Sequence, residues 1–226
     1  MCFGHLMTLA SLLSVVFTEK CEYVRGPLAI KNDTTVINLD CKKPTPLSHG
    51  RSLHLHDNAT HVAVQLLNCH TVPIGLFTNV TDQLTSVTVA SEDAVELLDE
   101  TFQGLGHITE LRLLGFNSLV NLSKSLFEPL RDIETLILDR VGRINIKLSY
   151  LGNVIQKLSG TPLKRLVLND IRGHTLLMED KTMQANDFRI TNASVKELII
   201  SNTEMYYKGS IRRAFPHLIC FHGSLM

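Results

Sequence analysis

The chain has 226 residues, and its 22 Lys and Arg balance 22 Asp and Glu, so its formal net charge at neutral pH is zero. That balance excludes a standing electrostatic pull toward nucleic acid or acidic lipid at neutral pH. Hydrophobic residues make up 44% and aromatics only 6%, with no Trp, which suits a core of narrow layers built from Leu, Ile and Val in one domain or a short repeat array.

At the amino end, residues 6–17 (LMTLASLLSVVF) form an apolar run too short to cross a bilayer but right for the apolar core of a secretory signal. Val16 and Thr18 are the small residues before a cut near Glu19, so residues 1–18 read as a signal peptide. No other run approaches the length of a membrane span, and no transmembrane segment is expected. Asn-x-Ser/Thr sequons at Asn32, Asn58, Asn79, Asn121 and Asn192 point the same way, to an exported, glycosylated chain.

Export permits disulfides. Cys21 and Cys41 frame a strand-like stretch ending Val36-Ile-Asn-Leu-Asp-Cys41 and are the expected pair. Closing that loop of about twenty residues stabilises by roughly 3 kcal/mol in the chain-entropy model. Residues 19–60 would then cover the open end of whatever follows. Pro44, Pro46 and Gly50 mark a connector. His54 and His56, with His61 nearby, would share a strand face as two metal ligands could; alternation with Leu53 and Leu55 is the plainer reading, and no metal is expected.

From His61 onward the chain repeats itself. The clearest copy is residues 102–113, FQGLGHITELRL, where apolar spacings of three give way to a spacing of two inside one unit. Strand pairs align at Val64/Leu66, Val87/Val89, Leu111/Leu113, Leu136/Leu138, Leu166/Leu168 and Leu198/Ile200, with near-equal intervals as far as Leu136 and two longer ones after it. Leu84, Ile108, Ile133, Leu163 and Val195 stand three residues before their pairs and complete a Leu-x-x-Leu-x-Leu frame, in which His61 is the outlier. Three residues after each pair come Cys69, Glu92, Phe116, Val141, Ile171 and Thr203, where an Asn or Cys is usual; Cys69 is expected to be a small buried thiol. Returning segments carry Leu76/Phe77/Val80, Leu98/Phe102/Leu105 and Leu122/Phe127/Leu130. Residues 148–158 and 176–188 in the two long intervals have helix-compatible spacing. A partial copy begins at Leu218, with Phe221 next, and the array stops in mid-repeat at Met226.

These features resemble a leucine-rich repeat ectodomain. Cys21 to Cys41 followed by Asp57-Asn-Ala-Thr-His-Val is similar to the amino-terminal cap and first repeat of such proteins. Leu158-Ser-Gly-Thr-Pro-Leu163-Lys-Arg-Leu-Val-Leu, Ser194-Val-Lys-Glu-Leu-Ile-Ile-Ser-Asn and Gly209-Ser-Ile-Arg-Arg-Ala-Phe-Pro216-His-Leu218 look like segments of Toll-like receptor ectodomains. The expected fold is therefore an α/β leucine-rich repeat solenoid, a horseshoe arc with parallel strands on the concave side, loops and short helices on the convex side, and a disulfide cap. Its expected parts are a signal peptide at 1–18, a cap at 19–60 and repeats at 61–226. The resemblance implies innate recognition of microbial molecules by a module that dimerises around its ligand.

No Gly-x-Ser-x-Gly elbow, His-Glu-x-x-His, phosphate loop or Cys-x-x-Cys is present, so neither an enzyme nor a cofactor is expected. The inward strand face would carry Gln65, Thr88, Arg112, Asp139, Arg140, Asn169, Asp170, Ser201 and Asn202, a polar set of mixed sign. Arg112, Asp139, Arg140, Asn169 and Asp170 are the candidate ligand contacts, for a protein or microbial ligand on the concave or lateral face. Nucleic acid is not an expected partner at neutral pH, although the 10 histidines would add positive charge in an acidic compartment. The sequence thus reads as a non-catalytic extracellular recognition module, secreted or on the outer face of a membrane as part of a longer receptor. The alternative is a secreted or cell-surface leucine-rich repeat protein for protein adhesion or matrix binding.

Overall fold

The structure is a computed structural model and describes residues 34–42, 59–80, 82–116, 118–141, 143–144, 148–171, 182–184, 195–201, 206–208 and 215–223. The signal segment, Cys21, the sequons at Asn32, Asn58 and Asn192, the His54/His56 pair, Asn202 and Thr203 lie outside the described residues.

The chain forms a solenoid of parallel strands with little helix. Its main sheet takes one strand from each copy: β1 (Thr34–Asp40), β2 (His61–Leu67), β3 (Ser86–Ser91), β5 (Glu110–Leu114), β7 (Thr135–Asp139), β9 (Arg165–Asn169), β11 (Glu197–Ser201) and β13 (Cys220–Gly223), in that spatial order. Every pairing is parallel and in unbroken register, so Val87, Leu111, Leu136, Leu166 and Leu198 stand in one row across the sheet. A smaller sheet follows the turn after the strands, with β4 (Ala94–Leu97), β6 (Ser118–Leu122) and β8 (Arg143–Ile144) also parallel. A third pair joins β10 (Thr182–Gln184) to β12 (Tyr206–Lys208). Among the described residues there is one α-helix, α1 (Leu148–Ile155), which continues into a 3-10 turn at Gln156–Leu158.

The core is one contiguous cluster between the main sheet, the smaller sheet and the returning segments. The frame residues Leu84, Ile108, Ile133, Leu163 and Val195 are buried, as are the paired strand residues from Val87 to Leu198. Phe77, Phe102 and Phe127 recur at equal spacing and line up as a column, with ring centroids 6.4 and 6.2 Å apart. Aromatic pairs at such separations contribute beyond the area they bury. Gly104 lets this column close up: it has φ +96°, and a Cβ there would lie 2.1 Å from the Phe77 carbonyl oxygen. At strand entry a second column repeats. The carbonyls of Thr60, Thr85, Thr109, Glu134 and Lys164 each accept two backbone N–H bonds from the next copy, so the donors at the entries of β3, β5, β7, β9 and β11 are satisfied.

Four expectations require correction. The register sets Val62/Val64 beside Val87/Val89, two residues earlier than the Val64/Leu66 alignment, because β2 runs seven residues where β5, β7 and β9 run five. The first interval, from Val62 to Val87, thus matches that from Leu111 to Leu136, and buried Ala59 rather than His61 fills the frame position. Second, Cys41 bonds Cys69, not Cys21; the Cα atoms are 5.1 Å apart, in the range a disulfide spans. The pairing follows from the topology, since parallel β1 and β2 bring the exit of each strand side by side and Cys41 N donates to Leu67 O. Third, Cys69 is fully buried as expected, but it is half of that bond rather than a thiol. Its sulfur still lies 3.3 and 3.6 Å from the carbonyl oxygens of Leu67 and Leu39. Fourth, in the 176–188 interval the described residues 182–184 are the strand β10, where helix was expected. The 148–158 interval is helical, with Leu151, Val154, Ile155 and Leu158 turned into the core.

Candidate binding face of the main sheet

Alternation along a strand sends every second residue away from the core. On the main sheet these outer residues form three rows. The entry row includes His61, Ser86, Glu110, Arg165 and Glu197; the middle row Ala63, Thr88, Arg112, Ile137, Val167 and Ile199; the exit row Gln65, Ala90, Leu114, Asp139, Asn169 and Ser201.

The middle row is the main departure from the polar face expected. Ile137, Val167 and Ile199 stand on three successive strands, and with Leu114 they make a second apolar cluster, 1–8% exposed, against which Ala90 packs. The signal was in the sequence. Leu136-Ile-Leu138, Leu166-Val-Leu168 and Leu198-Ile-Ile200 are continuous apolar triplets, and uninterrupted apolar runs mark strands buried on both faces. Toward the amino end the same row becomes polar and tight. Arg112 Nε lies 2.6 Å from Glu110 Oε1, with side chains 12% and 18% exposed, and Ser86 Oγ donates to the same oxygen over 3.0 Å. Glu110 Oε1 thus accepts from both Arg112 and Ser86, and the three side chains form one fixed polar network across β3 and β5.

The exit row carries a hydrogen-bonded rail. Asn169 Nδ2 donates to Asp139 Oδ1 at 2.5 Å, and Ser201 Oγ donates to Asn169 Oδ1 at 2.7 Å, across β7, β9 and β11. Asp139 is 4% exposed, and its charge is also met by Arg140, whose Nε is 3.6 Å from Oδ2. A parallel rail, unforeseen from sequence, joins the first strands. Asn68 donates from its side chain to Asp40 Oδ1 at 3.0 Å and from its backbone to Asp93 Oδ2 at 2.6 Å. Its signature is the Asn that precedes Cys69, since Asn tolerates the left-handed turn found there (φ 55°).

The five candidate contacts do not form one cluster. Arg112 is consumed by Glu110, and Asp139 is buried in the rail. Asn169 is half-buried and bridges that rail. Arg140 and Asp170 leave the strands altogether: they occupy left-handed turn positions (φ 52° and 48°) equivalent to Gly115 (φ 73°). Their backbone N–H groups donate to Asn169 O and Ser201 O of the next strands, and Gly115 N donates to Asp139 O. These bonds do the work that an Asn ladder would do. The residues after them, Phe116, Val141 and Ile171, are free to be apolar and are buried, whereas Glu92 in β3's copy is exposed. Arg140, with 60% of its side chain accessible, is the most open of the five.

On the far side of the molecule a groove of about 600 Å³ crosses three successive returns and ends on α1; Ile74, Glu100, Asn121, Lys124 and Tyr150 are among its walls. Asn79 and Asn121, the two sequon asparagines within the described residues, are both exposed. Among the described residues no cluster of three His, Cys, Asp or Glu could hold a metal ion, and no helix is long and apolar enough to cross a membrane. Searches against family models, curated proteins and solved structures return no match to the chain.

Proposed function

We propose that this chain is a non-catalytic extracellular recognition module of the leucine-rich repeat class, similar to the amino-terminal part of a Toll-like receptor ectodomain, serving innate recognition. The observation that carries the reading is the unbroken parallel register of the main sheet, with the frame residues Leu84, Ile108, Ile133, Leu163 and Val195 all buried. A linear array of identical strands offers a long, stiff face, and such faces are frequent binding surfaces. The Cys41–Cys69 bond ties the exits of the first two strands, which is where a solenoid needs an end piece. The ligand would meet the exit rim, where Arg140, Asp170 and the half-buried Asn169 lie together beside the apolar row.

A rim that carries charge of both signs favours a protein ligand over a polyanion. It also keeps the second reading open: an adhesive or matrix-binding protein of the same fold. Retention assays with the secreted chain immobilised separate the two, using microbial extract in one arm and solubilised host surface protein in the other. The recognition reading expects retention from the microbial arm that drops on Arg140→Glu. Retention from the host arm alone transfers the assignment to adhesion, and retention from neither arm removes both.

A further inference from the structure

We propose that the groove lined by Ile74, Glu100, Asn121, Lys124 and Tyr150 seats the first N-acetylglucosamine of a glycan carried by Asn121, so that the sugar packs as an interior layer over the outer side of three repeats. The inference rests on the extracellular reading above and adds to it a defined occupant for a site that the ligand-binding face does not use.

Three observations converge. Asn121 heads the sequon Asn121-Leu-Ser123, is exposed, and stands in β6 opposite Glu96 of β4, inside the groove rather than on a tip. A sugar linked there is delivered into the groove by its own bond. The volume, about 600 Å³, lies in the range of small-ligand pockets and exceeds what a single pyranose ring needs. The lining has the chemistry a hexosamine asks for. Tyr150, half-buried, offers a ring for the sugar's C–H face, Glu100 and Asp99 accept from hydroxyls, and Lys124 donates to a hydroxyl or the acetamido oxygen.

The present partners of these groups leave room for that exchange. Lys124 Nζ sits 6.0 Å from the centroid of Tyr150, at the outer limit of a cation–π contact, so shifting it costs little. Asp99 already accepts from Ser125 Oγ, and Ser125 N donates to Ser123 Oγ, which fixes the floor of the groove beside the sequon. Ile74, 54% exposed, is an apolar side chain left open at one wall, and the N-acetyl methyl is a fitting cover for it. In the attachment itself the Asn121 amide nitrogen displaces a polyprenyl diphosphate from the anomeric carbon of the incoming oligosaccharide. One C–N bond forms, one C–O bond breaks, and the amide loses one proton.

The test uses the full chain secreted from mammalian cells with an α-mannosidase inhibitor, then trimmed with endoglycosidase H to leave one N-acetylglucosamine per occupied sequon. Native acylation of lysines is followed by peptide mass spectrometry in this form, in Asn121→Gln and in Ser123→Ala, which removes the sequon while keeping the asparagine. The expected result is an occupied Asn121 and a Lys124 that reacts several-fold more slowly in the trimmed protein than in either variant, with Lys164 unchanged in all three. Equal Lys124 reactivity with Asn121 occupied, or Asn79 occupied and Asn121 bare, overturns the inference and leaves the extracellular reading standing. No glycan at any sequon overturns both.

Discussion

Between Val62 and Leu136 the copies are nearly equal in length; beyond Leu136 they lengthen twice, to Leu166 and then to Leu198, yet the sheet does not register the change. In the first region each return is a compact turn closed by short-range bonds, such as Gln103 N to Glu100 O and Leu105 N to Phe102 O, and filled by the Phe77–Phe102–Phe127 column. In the next interval α1 and its 3-10 turn replace that arrangement, and Leu151, Val154, Ile155 and Leu158 supply the buried volume. The inner side is thus fixed by hydrogen-bond register, which tolerates no insertion without turning side chains over. The outer side is fixed only by the need to fill the space, which several solutions satisfy.

Glycine sharpens the contrast most strongly. Gly104→Ala in the compact region sets a Cβ 2.1 Å from backbone carbonyl, where no side-chain shift gives relief, and it also strains a φ of +96°. The expected loss is on the order of 4 kcal/mol or outright failure to fold, read by urea denaturation. A cost near 1 kcal/mol would mean the Phe column is looser than its geometry states.

Next in size is the Cys41–Cys69 bond, which ties the exit of β1 to the start of the compact region. Its sequence separation of 28 gives about 3.5 kcal/mol in the chain-entropy model, so Cys41→Ser should lower stability by roughly that amount. Peptide mapping of the oxidised protein should recover Cys41 linked to Cys69. Recovery of Cys21 linked to Cys41 would restore the pairing expected from sequence and leave Cys69 as a buried thiol.

How much of this was legible depended on whether a feature is local. The strand pairs from Val87/Val89 onward, the Phe returns and the helix at residues 148–158 came straight from spacing, since each is decided within one copy, whereas the first pair was placed two residues late and β10 was expected as helix. The disulfide did not: Cys21 and Cys41 are neighbours in sequence, but the neighbour of Cys41 in space is set by β1–β2 pairing. The candidate contacts failed for a similar reason. Arg112 looks available until Glu110, two residues away on the same face of β5, claims it. Asp139 looks available until Asn169 arrives from the next copy. Left-handed Arg140 was invisible because only Gly, Asn or Asp announces that conformation.

The long-copy region has its own test in the rail. Asn169→Ala removes the donor to Asp139 and the acceptor for Ser201 together, leaving a carboxylate that is 4% exposed with Arg140 at 3.6 Å as its remaining described partner. A loss of about 1–3 kcal/mol is expected for an under-satisfied buried polar group. The variant Asn169→Asp should cost more, since it sets two carboxylates side by side. If both variants unfold at the wild-type urea midpoint, the rail is ornamental.

The smallest effect closes the comparison. Gly160 follows the 3-10 turn and has φ +100°, close to the value at Gly104, but a Cβ there meets nothing within 4 Å. Gly160→Ala therefore carries the backbone strain without the collision and should cost about 1–2 kcal/mol, the usual range for one residue held in a left-handed region. The difference between the two alanine variants isolates what close packing of the Phe column demands, because the torsional term is common to both. A Gly160→Ala cost equal to that of Gly104→Ala would place the whole penalty in φ. It would also mean that the close approach of Gly104 to the Phe77 carbonyl contributes nothing to the compact returns.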